Sequence, residues 1–165
     1  MPGLINNLIS VISEQASFYE DLVSLGTQKK EYIIQNDVEA LRKVMAQENA
    51  IVGKAQRVDR ARADLMHDIA GVLNEKESEL TLSRLAEIIR EQSEHKSFVD
   101  VAERLRIAAD TLKNVNEQNK LLLQNALEYI DFTINLIRST YEGEPAGYMP
   151  GGETPGARSF LDVRN

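Results

Sequence analysis

Apolar residues in the first part of the chain recur every seventh position. Leu4, Val11, Phe18, Leu25 and Tyr32 form one series, and Ile5, Ile12, Tyr19 and Ile33 form a second, offset by one. This period belongs to a helix, because residues seven apart return to nearly the same angular position. Leu8, Ile9, Leu22 and Val23 widen the stripe beyond a two-position seam, which predicts a helix that touches more than one neighbour. Gly26 interrupts the second series at a cost of about 1 kcal/mol in helix propensity. The interruption predicts either a close approach by a partner or a soft spot.

The stretch "NDVEAL" reads as the next boundary, with Asn36 as N-cap and Glu39 three positions on completing a capping box. The helix that follows carries Leu41, Val44, Met45, Ile51, Val52, Ala55, Val58, Leu65, Met66, Ile69, Val72 and Leu73. The short connection predicts an antiparallel hairpin with the first helix. Glu48, Asp59 and Arg62 break this stripe, where a core tolerates them only if they pair or reach solvent; a loosely packed middle is expected. Thr81 then caps a short third helix whose face is Leu82, Leu85, Ala86 and Ile89.

From about Ser97 to Tyr141 there is neither Pro nor Gly, and the apolar series runs Phe98, Ala102, Leu105, Ala109, Leu112, Val115, Leu122, Ala126, Tyr129, Ile130, Leu136, Ile137. One helix of that length rises nearly 70 Å at about 1.5 Å per residue, too long for a compact globule of this size. The expected fold is therefore all-α: an elongated antiparallel helical bundle or coiled-coil hairpin of three long helices plus one short one. Residues 1–141 form the helical domain. Residues 142–165 form a tail that holds three of the four prolines and five of the nine glycines, a composition that favours a flexible tether. Its tip, "ARSFLDVRN", regains Phe160, Leu161 and Val163, which suit a small docking element.

Composition narrows the functional classes. A hydrophobic fraction of 42% and a charged fraction of 27% are those of a folded soluble protein. No apolar run approaches the length needed to span a bilayer, and the start lacks the pattern of a secretory signal, so the expected compartment is the cytoplasm, with no membrane insertion. With no cysteine, disulfides, thiol nucleophiles and thiolate metal sites are excluded. The net charge of -7 opposes phosphate neutralisation and argues against nucleic acid.

Candidate chemistry is sparse. Asp64 and His67 have the i,i+3 spacing of half a bundle metal site, but the only other histidine, His95, is preceded by Gln92 at that spacing. Two solvent-facing or rim histidines are the expectation, with no metal and no cofactor. No phosphate-cradling glycine loop and no nucleophile elbow is present, so no catalytic residue is assigned and no enzymatic activity is expected. Arg57, Arg60 and Arg62 interleave with Asp59, Asp64 and Asp68 as a self-paired helix face.

The stretch "NVNEQNKLLLQNALEYI" is more informative, because Asn114, Asn116, Asn119 and Asn125 are poor helix-interior residues in a strongly apolar helix. Asn116 and Asn119 either fix register inside the bundle or face a partner. Beyond them, Leu122, Ala126, Tyr129, Ile130, Leu136 and Ile137 continue past the point where the shorter helices can cover them, and predict an exposed apolar strip.

Three parts of the chain resemble the FlgN-type flagellar export chaperones. They are "IIQNDVEALRKVMAQENAIV" with Arg62 in the second helix, the "N-x-x-N-x-x-L" pattern of Asn116, Asn119 and Leu122 in "NEQNKLLL", and the Gly-containing tail ending in "SFLDVRN". The resemblance implies a cytoplasmic chaperone that binds the C-terminal helical segments of flagellar hook-associated (hook-filament junction) proteins, prevents premature assembly and delivers them to the export apparatus. It places the cargo site on Asn116, Asn119, Leu122, Leu123, Ala126, Tyr129, Ile130, Leu136 and Ile137. The tail residues Phe160, Leu161 and Val163 are expected to dock on cargo, export gate or the chain's own bundle. The competing expectation is a structural or adaptor coiled coil that forms a homo-oligomer through the same stripes without cargo.

Overall fold

The computed structural model describes residues 1–142, and the tail residues Phe160, Leu161 and Val163 lie outside the described residues. Four helices follow in order: α1 (Pro2–Gln35), α2 (Val38–Leu73), α3 (Leu82–Ile88) and α4 (His95–Tyr141). The chain divides into two compact units, Met1–Lys120 and Leu121–Asn165, with α4 running through the boundary. Among the described residues there is no strand, and no helix is long and apolar enough to cross a membrane.

In the first unit α1 and α2 form the expected antiparallel hairpin, and its connection differs from the sequence expectation by one residue. Asn36 closes α1 in the left-handed region at φ 56°, and the Asp37 N–H reaches back to the Tyr32 carbonyl at 3.0 Å. Asparagine tolerates that conformation, so it takes the C-terminal position of α1. The N-cap of α2 therefore falls to Asp37, whose carboxylate accepts from the Ala40 N–H at 3.0 Å. Glu39 is left in the first turn, where its charge suits the helix dipole, and no capping box forms with Asn36. Asn74 ends α2 in the same way, at φ 55°. Thr81 caps α3 as expected, accepting from the Arg84 N–H at 3.1 Å.

The core sits where all four helices meet. Ile5, Leu8, Ile12 and Ala16 of α1 pack with Ile69 and Ala70 of α2, with Leu85 and Ile89 at α3, and with Phe98 and Leu105 of α4. Leu80, in the connection before α3, is buried with them. Along α1 the offset series is the buried one at Ile5, Ile12 and Ile33, with Gly26 buried between them and Tyr19 half-buried, while Leu4, Val11, Phe18, Leu25 and Tyr32 lie at its margins. Of the α2 stripe, Met45, Val52 and Val72 are exposed, because only part of that helix is covered.

The polar residues that interrupt the stripes are paired. Glu48 meets Lys29 of α1 at 3.1 Å, and Asp59 meets Arg62 at 2.9 Å. Asp59 also accepts from Nε2 of Gln15 at 3.2 Å. Gln15 is itself buried at a core position of α1, between Leu8 and Leu22 in the heptad, so the middle of the hairpin holds a polar bridge.

α4 runs parallel to α1, as three contacts in rising order show. The Arg104 guanidinium forks onto both oxygens of Glu20, at 2.7 and 2.8 Å, and donates to the hydroxyls of Ser13 and Ser17 at 3.2 and 3.0 Å. This pairing holds the Glu20 carboxyl below its usual range. Further along, Val115 lies over Gly26, where an added Cβ would sit 2.6 Å from the valine Cγ1. One turn on, Asn119 donates from Nδ2 to the Gly26 carbonyl at 2.8 Å. The break in the apolar series at Gly26 is thus a point of close helix approach.

Candidate functional site

The remainder of α4 has a composition unlike that of a surface helix. Between Leu121 and Tyr141 Gln124, Glu128, Asp131, Asn135 and Arg138 recur at alternating intervals of four and three, so every charged residue of this stretch lies on one stripe, flanked by Asn125 and Ser139. At about 100° per residue, the apolar positions from Tyr129 to Tyr141 cover an arc of about 200°, roughly twice that of a helix with one buried face. Its helical continuity follows from the absence of Pro and Gly throughout α4.

This arc is open. Tyr129 is 72% exposed, Phe132 63%, Ile137 51%, Ile130 50% and Leu136 43%. Thr133 and Thr140 lie between the large residues and turn their hydroxyls onto the Tyr129 and Leu136 carbonyls of their own helix, each at 2.9 Å. These hydroxyl protons are used within α4, which leaves the face apolar.

The expected cargo residues therefore fall into three groups. Tyr129, Ile130, Leu136 and Ile137 form the exposed strip. Leu122, Leu123 and Ala126 are half-buried. Asn116 and Asn119 lie in the first unit: Asn116 is exposed beside Tyr19 and Lys120, whereas Asn119 is buried and bonded to Gly26. Asn119 thus takes the internal, register-holding position, and its Oδ1 has no partner among the described residues. Sequence reasoning along a single stripe omitted Leu121, Leu127, Phe132, Ile134 and Tyr141, all exposed. The confinement of the charged residues to one line was the signal that these belong to the same surface.

Elsewhere several charged groups pair with one another. Nδ1 of His67 lies 2.9 Å from Glu77, and that contact raises its pKa above the ordinary value. His67 is thus engaged across the α2–α3 connection and not with Asp64. Among the described residues no group of three or more His, Asp or Glu side chains is placed to hold a metal ion.

No curated protein and no solved structure matches the chain. The family model described as FlgN protein matches residues 1–156, covering every described helix and the opening of the tail. With that match spanning nearly the whole sequence, the chain belongs to the FlgN family of flagellar export chaperones.

Proposed function

We propose that the chain is a cytoplasmic export chaperone that holds helical C-terminal segments of flagellar hook-associated proteins against the apolar strip of α4 and hands them to the export apparatus. The observation that carries this reading is the open arc of Tyr129, Ile130, Phe132, Leu136 and Ile137 on a helix that is otherwise well formed. A large apolar side chain gains about 1.5–3 kcal/mol when fully buried, so covering the strip offers about 5–10 kcal/mol before the cost of association. An amphipathic cargo helix laid along it gains that burial and hides its own apolar face, which keeps cargo from polymerising early. No bond is made or broken in this task.

Titration calorimetry with C-terminal fragments of hook-filament junction proteins tests the proposal. Saturable one-to-one binding is expected, weakened at least tenfold by Ile130→Asp with Ile137→Ser, which leave the first unit intact because both side chains are exposed. Equal binding by the variant would rule out this site. No binding, with light scattering showing a stable oligomer, would favour a self-associating coiled coil instead.

A further inference from the structure

The tip of the tail has a composition suited to the strip on α4, and the chain between them has a suitable length. Residues 158–164 combine three apolar side chains, Phe160, Leu161 and Val163, with two positive charges, Arg158 and Arg164, and one negative charge, Asp162. The strip offers its apolar arc beside Glu128 and Asp131, both exposed along a polar edge that also carries Arg138 further on. The family match ends at residue 156, before this tip begins, so the element lies outside what the family model covers.

Distance supports the pairing. Ile130 lies about 18 Å back along α4 from Glu142, at 1.5 Å per residue. A Gly-rich segment as long as residues 143–159 averages about 23 Å from end to end, close to that separation. A tether whose average length matches the span gives its maximal effective concentration, of order 1 mM. A contact too weak to persist between separate molecules is then substantially occupied within one.

We propose that residues 158–164 dock on the Tyr129–Ile137 face of α4 in the free chain, with Phe160, Leu161 and Val163 on the apolar arc and the arginines toward Glu128 and Asp131. The tip is a built-in cover that a bound partner displaces, and this covering role rests on the strip being the cargo site. If the isolated tip binds with a Kd of about 0.1–1 mM, an effective concentration near 1 mM closes roughly 50–90% of the sites. Apparent cargo affinity then falls by the open fraction, so removing the cover raises it about 2- to 10-fold.

The chain has no cysteine, so Ser159→Cys carries a single nitroxide in the full-length protein. Paramagnetic broadening of the amides of residues 129–138 is expected, and its loss when Phe160, Leu161 and Val163 are all changed to Ala. No broadening there overturns the proposal. So does broadening that requires mixing labelled with isotope-enriched unlabelled chains, since the occupant is then a second copy. Calorimetry with hook-filament junction fragments should show the 2- to 10-fold gain in the triple variant; a loss would mean that the tip grips cargo and would overturn the cover. Broadening without any cargo binding would uphold the docking and refute the cargo reading, which keeps the two failures apart.

Discussion

Replacing Gly26 by alanine separates local helix propensity from tertiary packing. Within an isolated helix the change is favourable by about 1 kcal/mol. Here the new Cβ would lie 2.6 Å from Cγ1 of Val115, closer than real Cβ contacts allow. Valine is held to one rotamer in a helix and cannot swing aside, so α1 and α4 must part locally. Overpacking of this kind costs about 1–3 kcal/mol. Separation also stretches the 2.8 Å bond from Asn119 to the Gly26 carbonyl, and an unpaired buried amide costs a further 1–3 kcal/mol if the bond is lost. Setting these against the propensity gain, Gly26→Ala is expected to destabilise by up to about 2 kcal/mol if the bond holds and by about 1–5 kcal/mol if it is lost.

The same substitution at Gly53 and Gly71, where nothing among the described residues lies within 4 Å of an added Cβ, should stabilise by about 0.5–1 kcal/mol. Urea unfolding of the full chain, followed by circular dichroism at 222 nm, measures all three. Val115→Ala should rescue Gly26→Ala, with a coupling of at least about 1 kcal/mol in a double-mutant cycle. A stabilising Gly26→Ala, or zero coupling to Val115, would refute the close-packing argument.

Two further predictions concern charges. Arg104→Lys should cost about 0.5–1 kcal/mol, since the pair is partly exposed and an ammonium cannot hold both Glu20 oxygens and two serines together; the Glu20 carboxyl should titrate closer to its usual range in the variant, and an unchanged NMR midpoint would contradict the fork. Glu20 thus supports the fold above its ordinary pKa of about 4.5, and that support is lost as pH falls through its lowered native value. His67 should titrate above 6.5 by NMR and return toward that value in Glu77→Gln. Its contribution is fully present below the unfolded pKa and disappears as pH rises through the higher folded one; a midpoint unmoved by Glu77→Gln would show that the contact is absent in solution.

Sequence alone determined the helices of this protein. A seven-residue period, a threonine cap at Thr81 and an α4 free of Pro and Gly act through local geometry, so the all-α class with three long helices and a short one was legible. Boundary detail was less so: Asn36 and Asp37 both suit a helix end, and the two-residue connection between α1 and α2 assigns one to each. Only tertiary structure decided which residues meet. Gln15 and Asn119 are polar by composition, yet each is buried because a neighbouring helix brings Asp59 or the Gly26 carbonyl within reach. Gly26 was ambiguous until Val115 filled the space above it. The strip shows the same division. That Tyr129 to Tyr141 carries a broad apolar arc is written in the chain, but exposure is a relation between a side chain and whatever covers it, and periodicity contains no information about a cover.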